Sequence, residues 1–410
     1  KKINGVEDFI NKFVRARGGD STGLDAVGAA PSGSTEGLTA TGGIVSDYSE
    51  PGPGNVYRAH VFTASGTFQV TATGGYGDNI DFLVLAGGGG GGATVAPGNG
   101  GRGGGGAGGL RTNIPSVPYA IPDSSLAYPG SGTYTYTVEV GAGGLARNTP
   151  APGSYQTTGY PGGNSSVIGP AHPGSGGAGG VVASGGGGGT TLPGIAAASG
   201  GSGGGGAYGG DDGSTVAATD GISPTVQGHG GGGGSGRGGG GGGAAAAAPT
   251  PGDGGPGLQV AIAGPTATTF TGVGAKNPSN NQYQYFAGGG GGGGGYSSSI
   301  GGDGGLGGGG YGADHPSDAS SPAQNAQLST GSGGGGGWGS ASGHAANGSS
   351  GIVVLRYQIG ELAATAKATG GAISFTPTKT VHVFENSGEF KNTSPIANVE
   401  ILSVAGGGGG

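Results

Sequence analysis

Eight consecutive glycines at 288–295 constrain this chain more than any other stretch in it. Shorter runs recur at 87–92, 103–106, 185–189, 203–206, 230–234, 238–243, 307–310 and 333–337. A glycine run has no side chain to bury. Each residue gives up roughly 0.5–1 kcal/mol more backbone freedom than alanine, so eight together cost on the order of 4–8 kcal/mol. A run left alone in solvent is a flexible linker. Runs that order must satisfy one another's N–H and C=O groups. Glycine is a weak strand former, and a glycine α-helix is disfavoured by about 1 kcal/mol per residue. The regular conformation that remains is the threefold extended helix, rising about 3.1 Å per residue without internal hydrogen bonds. Without Cβ atoms, several such helices can lie side by side and exchange main-chain hydrogen bonds. The expected centre of the fold is a bundle of polyglycine-II helices, each about 12–25 Å long. The lack of a strict Gly-X-Y period excludes collagen.

Composition sharpens this. Glycine supplies 117 of 410 residues, while charged residues make up 9% and aromatics 6%, so the middle of the chain has no material for a large aliphatic core. The net charge is −7, from 15 basic and 22 acidic residues. No basic patch interleaved with aromatics appears, which excludes the usual nucleic-acid binders. With no cysteine there is neither disulfide nor thiolate chemistry. No apolar run approaches the roughly 18 residues of a membrane span, and no secretory signal is visible, so no membrane insertion is expected. The chain starts at Lys1 and stops inside a glycine run at Gly410, which reads as a piece of a longer polypeptide.

In chain order, Val6, Phe9, Ile10, Phe13 and Val14 recur at helical spacing behind Asn4 as N-cap, with Gly18 and Gly19 as a stop. Residues 1–19 therefore read as a short amphipathic helix, packed on its own domain or docked on another chain of an assembly. Residues 20–56 are rich in Gly, Ser, Thr and Pro and read as an extended connector. From 57 the pattern turns to strands, at 58–62, 66–70, 80–85 and 134–140, with a closing apolar strand at 351–357. The expectation for 57–357 is a mainly β domain, a small β-sheet or sandwich from which the polyglycine-II bundle projects. Residues 358–379 read as a linker. Val381-His382-Val383-Phe384, Ser387-Gly388-Glu389-Phe390 and 399–405 then echo His60-Val61-Phe62, Ser65-Gly66-Thr67-Phe68 and 80–86, so 380–410 begins a second tandem copy.

Accidental catalytic patterns are frequent in such a sequence. Residues 200–204 fit G-x-S-x-G, but a nucleophile elbow needs a strand before and a helix after it. G-x-G-x-x-G recurs without a strand-turn-helix unit, and no G-K-[ST] follows. His60, His172, His229, His315, His344 and His382 lack metal-ligand spacing, and Asp314, His315 and Asp318 form the one small cluster. No cofactor, metal or catalytic residue is assigned. The informative residues lie between the glycine runs: Tyr119, Tyr128, Tyr155, Tyr160, Tyr283, Tyr285 and Phe286. They read either as receptor-contact residues on loops held by a rigid scaffold or as caps shielding the bundle ends. Trp338 is expected to pack on glycine backbone.

The SGTF strand at 65–68, IDFLVLAGGGGGG at 80–92, YTVEVGAGG at 136–144, GGNSS at 162–166 and the closing SGIVVLRY at 350–357 resemble the glycine-rich domain of tail-fibre and other virion proteins of tailed bacteriophages, marine and cyanobacterial phages among them. The resemblance covers about 57–357 and again 380–410. It implies a non-enzymatic virion protein on the particle surface, with other virion proteins and a host cell-surface glycan or protein as partners and a homo-oligomer, such as a trimer, as its assembly. Glycine-rich tip adhesins of that group display variable loops on a polyglycine-II bundle. The flanking strands and second copy depart from those adhesins, which leaves a head or neck appendage open as an alternative. An extracellular structural or ice-binding protein is a further alternative, although the threonines here are irregularly spaced.

Overall fold

The computed structural model describes residues 37–49, 54–72, 74–77, 79–93, 100–122, 126, 132–147, 158–169, 180–209, 211, 213–216, 222–249, 252–264, 271–295, 300–315, 321–338, 344–362, 368–375, 380–384, 387–392 and 398–404. The helix expected near the N-terminus, with Val6, Phe9, Ile10, Phe13 and Val14, lies outside the described residues, as do Tyr128 and Tyr155. Among the described residues there is no α-helix, and the protein is mainly β with several antiparallel sheets.

In chain order the strands are β1 (Thr39–Thr41), β2 (Ile44–Ser49), β3 (Gly54–Phe62), β4 (Gly66–Ala72), β5 (Asp81–Leu85), β6 (Leu110–Thr112), β7 (Tyr134–Glu139), β8 (Ser165–Ile168), β9 (Gly180–Ala183), β10 (Leu258–Gln259), β11 (Ala275–Asn277), β12 (Gln282–Phe286), β13 (Ile352–Leu362), β14 (Ala368–Thr369), β15 (Ala372–Phe375), β16 (Thr380–Val383) and β17 (Lys391–Asn392). One five-stranded sheet runs β1-β4-β7-β8-β9 and a second runs β2-β3-β13-β5-β6. They enclose a core in which Phe68, Val70, Tyr136, Val138 and Val167 of the first meet Phe62, Phe82, Val84, Val353 and Leu355 of the second. The opposite face of the second sheet, with Val61, Leu83, Leu85, Ile352 and Val354, packs on Val260, Ile262 and Phe286 around the small sheet β10-β12-β11. Because β5 and β13 are covered on both faces, they read as unbroken apolar runs. β7, covered on one face, alternates.

Two stretches read as connectors contain strands. Residues 37–49 lie inside the expected connector yet form β1 and β2, and the expected linker holds the end of β13 together with β14 and β15. Short polar strands of this kind are held by tertiary contacts that propensity does not report. Tyr48 of β2 is buried and donates its hydroxyl to the Ile262 carbonyl at 2.9 Å. Asp47 of β2 accepts two hydrogen bonds from the Arg58 guanidinium of β3, at 2.7 and 2.8 Å.

Several of the glycine runs are continuations of strands. β5 leads into 86–93, β7 into 141–147, β9 into 184–190 and β12 into 287–295, while 101–109 leads into β6 and 344–351 into β13. At this junction the neighbour is kept and the hydrogen-bond rhythm changes. Leu85 of β5 faces Leu110 of β6. Beyond them Ala86 N donates to Gly109 O, then Gly89 N to Gly106 O and Gly92 N to Gly103 O. Of the amides between, Gly87 and Gly90 donate to Gly163 and Tyr160, and Gly88 and Gly91 to Ser349 and Ala346. Carbonyls of the same run accept from Gly144 and Arg147, from Gly186 and Gly189, and from Gly334 and Gly337. Each neighbour is met again after every third residue, and one run is bonded to six others, three antiparallel and three parallel. Residues 101–109 repeat the arrangement, donating to 331–337, 184–190 and 239–242 and accepting from 86–92, 202–208 and 290–293. At most glycines of these runs no Cβ fits: on Gly290 it would lie 2.6 Å from the Gly334 carbonyl carbon. The runs at the margin show the same period as burial. Ala142 and Leu145 are exposed while Gly141, Gly144 and Arg147 are buried.

Candidate functional site

The bundle has two ends of different chemistry. At the sandwich end, polar side chains finish amides that have no further glycine partner. Asn164 Oδ1 accepts from Gly185 N at 2.9 Å, Ser165 Oγ from Gly141 N at 2.9 Å, Gln227 Oε1 from Ser184 N at 2.9 Å and Ser332 Oγ from Gly288 N at 3.1 Å. Each of these caps a buried or half-buried donor that would otherwise be costly.

At the far end the chain turns back between runs, and charged and aromatic residues collect there. Arg237 meets Asp253 at 3.4 Å and donates to the Ile300 carbonyl at 3.0 Å. Asp253 also accepts from Asp303 N at 3.0 Å, and Asp314 accepts from Gly301 N at 2.8 Å. Two carboxylates thus cap the entering amides of the 301–305 run, as acidic caps do at helix starts. Trp338 is buried, and its ring is met edge-on by His315 at 4.6 Å, so it packs within the bundle end as well as on glycine. Around this capped centre, Leu192, Ile195, Tyr208 and Ile300 are exposed, with Leu145 and Tyr160 beside them on the flank. Tyr160 and Leu145 sit on adjacent runs, joined by Tyr160 N to Leu145 O at 3.1 Å. Exposed apolar side chains at the same end as internally paired charges are the kind of feature that contact with another molecule uses. Among the described residues, no group of three or more His, Asp or Glu side chains is arranged to hold a metal ion.

Among the described residues, the aromatic residues singled out in the sequence do not gather in one place. Of those described, Tyr160 is the one exposed on the far flank. Tyr119, at φ 64°, braces the sandwich end, its hydroxyl 3.1 Å from His229 Nε2, and burial holds that imidazole below its usual range. Tyr283 and Tyr285 are half-buried on β12, and Lys276 Nζ lies 5.7 Å from the Tyr283 ring. Phe286 is a correction: it is fully buried in the second core and cannot touch a receptor. The cause is the backbone of β12, where Gln284 takes φ 61° and turns inward, its Oε1 accepting from Ile262 N and Ala263 N at 3.0 and 2.9 Å. Reading for aromatic content missed Leu192, Ile195, Tyr208 and Ile300. Their common signal is position, at or beside the ends of glycine runs.

Antiparallel sheets continued by a main-chain hydrogen-bonded glycine bundle define a class of structural domain whose interior is largely backbone. Residues 63–358 match the glycine-rich domain family, and the chain belongs to that family. A comparison with curated proteins gives no match.

Proposed function

We propose that this chain is a non-enzymatic structural protein of a tailed-phage virion, of fibre or adhesin type, whose glycine runs form a polyglycine-II bundle. The bundle acts as a stiff post that presents its far end to a host cell-surface glycan or protein, on the outside of the particle and as a homo-oligomer. The observation that carries the reading is the exchange of amides with six neighbouring runs at intervals of three residues, the geometry of a threefold extended helix. It supports stiffness without a side-chain core. The phage setting rests on the resemblance of the strand and glycine motifs. A second reading, a head or neck appendage without receptor contact, is favoured by the engagement of Asp253 and Asp314 in capping the bundle itself.

Labelled chain is expected to bind cells of the phage's bacterial host. Leu192→Ser combined with Tyr208→Ser is expected to weaken that binding while the unfolding midpoint stays in place. Antibody labelling that puts the chain on the head or neck, together with host binding indifferent to these changes, overturns the adhesin reading.

A further inference from the structure

The run 86–92 is enclosed on six sides, whereas among the described residues the run 141–147 is main-chain bonded to three others. Gly144 N and Arg147 N donate to Gly88 O and Gly91 O of the first. Tyr160 N and Gly163 N, of the second, donate to Leu145 O and Ala142 O, and Gly348 N and Gly351 N, of the third, donate to Gly144 O and Gly141 O. The period of three also fixes where side chains go. A Cβ on Gly141 would meet Gly163 O, one on Gly144 would meet Tyr160 O, and one on Gly143 would meet Gly348 O. Glycine stands at each of those places. The remaining set, Ala142 and Leu145, carries side chains, and both are exposed, Leu145 at 61%.

Main-chain groups on this flank are left over. The amides of Ala142, Gly143 and Leu145 have no hydrogen-bond partner among the described residues. Equivalent groups recur about every 9 Å along a threefold helix. On a sheet edge, such a row of unpaired groups invites another chain to pair with it. Here the row is obstructed. Tyr160 and Pro161 are exposed on the adjacent run, and Pro161 has no N–H to offer. Asn347 Oδ1 accepts from Ala146 N at 2.7 Å, and Asn325 Oδ1 accepts from Asn347 N at 2.8 Å. Each side-chain carbonyl does at the margin what a main-chain carbonyl does inside. His344 and Asn347 follow the same rhythm, exposed on either side of the buried Ala345 and Ala346.

We infer that this flank is built to refuse a further glycine run, and that the partner it excludes is a glycine run of a second copy of this chain. Runs pack only where neither surface carries a Cβ, and every copy brings such runs with it. Ala142, Leu145 and Tyr160 occupy the ground a further run needs, while Asn347 and Asn325 use up amides it would pair with. Copies in one assembly are thereby kept from merging through their bundles. This holds whatever molecule the far end meets, and it separates Leu145 and Tyr160 in role from Leu192 and Tyr208.

The test replaces Ala142, Leu145 and Tyr160 together by glycine in the intact chain, with Leu145→Gly alone beside it in case the triple change lowers the unfolding midpoint. Sedimentation velocity is run over concentrations at which the unaltered chain sediments at a constant rate. The glycine variants are expected to sediment faster as concentration rises, the triple more than the single. Amide exchange by mass spectrometry is expected to slow across 141–147 in the associated form. Leu145→Lys combined with Tyr160→Lys, which keeps side chains in place, is expected to sediment as the unaltered chain does. An ordinary sticky apolar patch predicts the opposite sign, since losing Leu145 and Tyr160 would weaken association. The inference is overturned if the glycine variants stay unassociated, if the lysine variant associates as strongly, or if protection appears away from 141–147 and 158–163.

Discussion

Replacing Gly105 by alanine puts the backbone-core reading to a direct test. A Cβ there would lie against the Gly89 carbonyl oxygen, 2.6 Å from the Gly89 carbonyl carbon and 3.1 Å from the Gly90 carbonyl carbon. Carbon atoms rest at about 3.5–4.0 Å, so runs 86–93 and 101–109 must separate by about 1 Å. That opening stretches Gly89 N to Gly106 O and Gly92 N to Gly103 O, now 2.8 and 3.0 Å, beyond hydrogen-bonding range. Two buried pairs left unmet cost about 2–6 kcal/mol. Removing glycine from the unfolded chain returns about 0.4–1 kcal/mol. The net loss is about 1–5.5 kcal/mol, set against the roughly 5–15 kcal/mol of a folded domain. Gly360→Ala is the control: its Cβ would meet only Val56 side-chain atoms at 3.8 and 3.9 Å. Its effect is expected within about 0.5 kcal/mol. Urea denaturation of both variants measures the difference. If Gly105→Ala matches the control, the runs are not packed at this spacing and the bundle argument fails.

Three further outcomes follow from the side chains. Burial, with a smaller contribution from the nearby Arg58 cation, holds the His60 imidazole below its usual 6.5. Below that pH the unfolded chain takes up a proton that the folded chain refuses, so stability present above about pH 6.5 is lost on acidification. His60→Gln is expected to flatten the fall between about pH 6.5 and 5 in urea titrations; an unchanged slope assigns it elsewhere. Arg356 bonds Asp81 and Tyr48 and stands 4.3 Å over the Tyr57 ring. Arg356→Leu is expected to lose about 2–4 kcal/mol by calorimetry, much of it recovered when Asp81→Leu is added. Asn164→Ala removes the acceptor for Gly185 N and is expected to cost about 1–3 kcal/mol, with faster exchange of that amide as the local readout.

Strands β3, β4, β5, β7 and β13 are legible in the chain because β-branched and aromatic residues cluster there between turn signals. β1 and β2 are not, since Thr39–Thr41 and Ile44–Ser49 resemble the polar stretch around them and depend on partners far along the chain. Repetition held a clue: Ala-Thr-Gly-Gly occurs at the head of both copies, at 40–43 and 368–371, and in those two places the paired glycines take positive φ. The third layer was hidden differently. Phe286 and Gln284 look like loop residues until the chain at 258–263 folds over the second sheet and claims them for the interior. For the far end, tyrosine content was a poor guide. The better rule is the period of three itself: in marginal runs a non-glycine residue at every third place, as at Ala142 and Leu145, marks the side facing out.

An interior made of peptide groups also changes how the fold answers temperature. Unfolding a hydrocarbon core raises heat capacity, whereas exposing amides lowers it. Strands β5 and β13 contribute in the first sense, the long glycine segments in the second. The heat-capacity increment per residue should therefore fall below the usual value of about 12–15 cal/mol/K, and the stability curve should be broad and shallow, with little weakening in the cold.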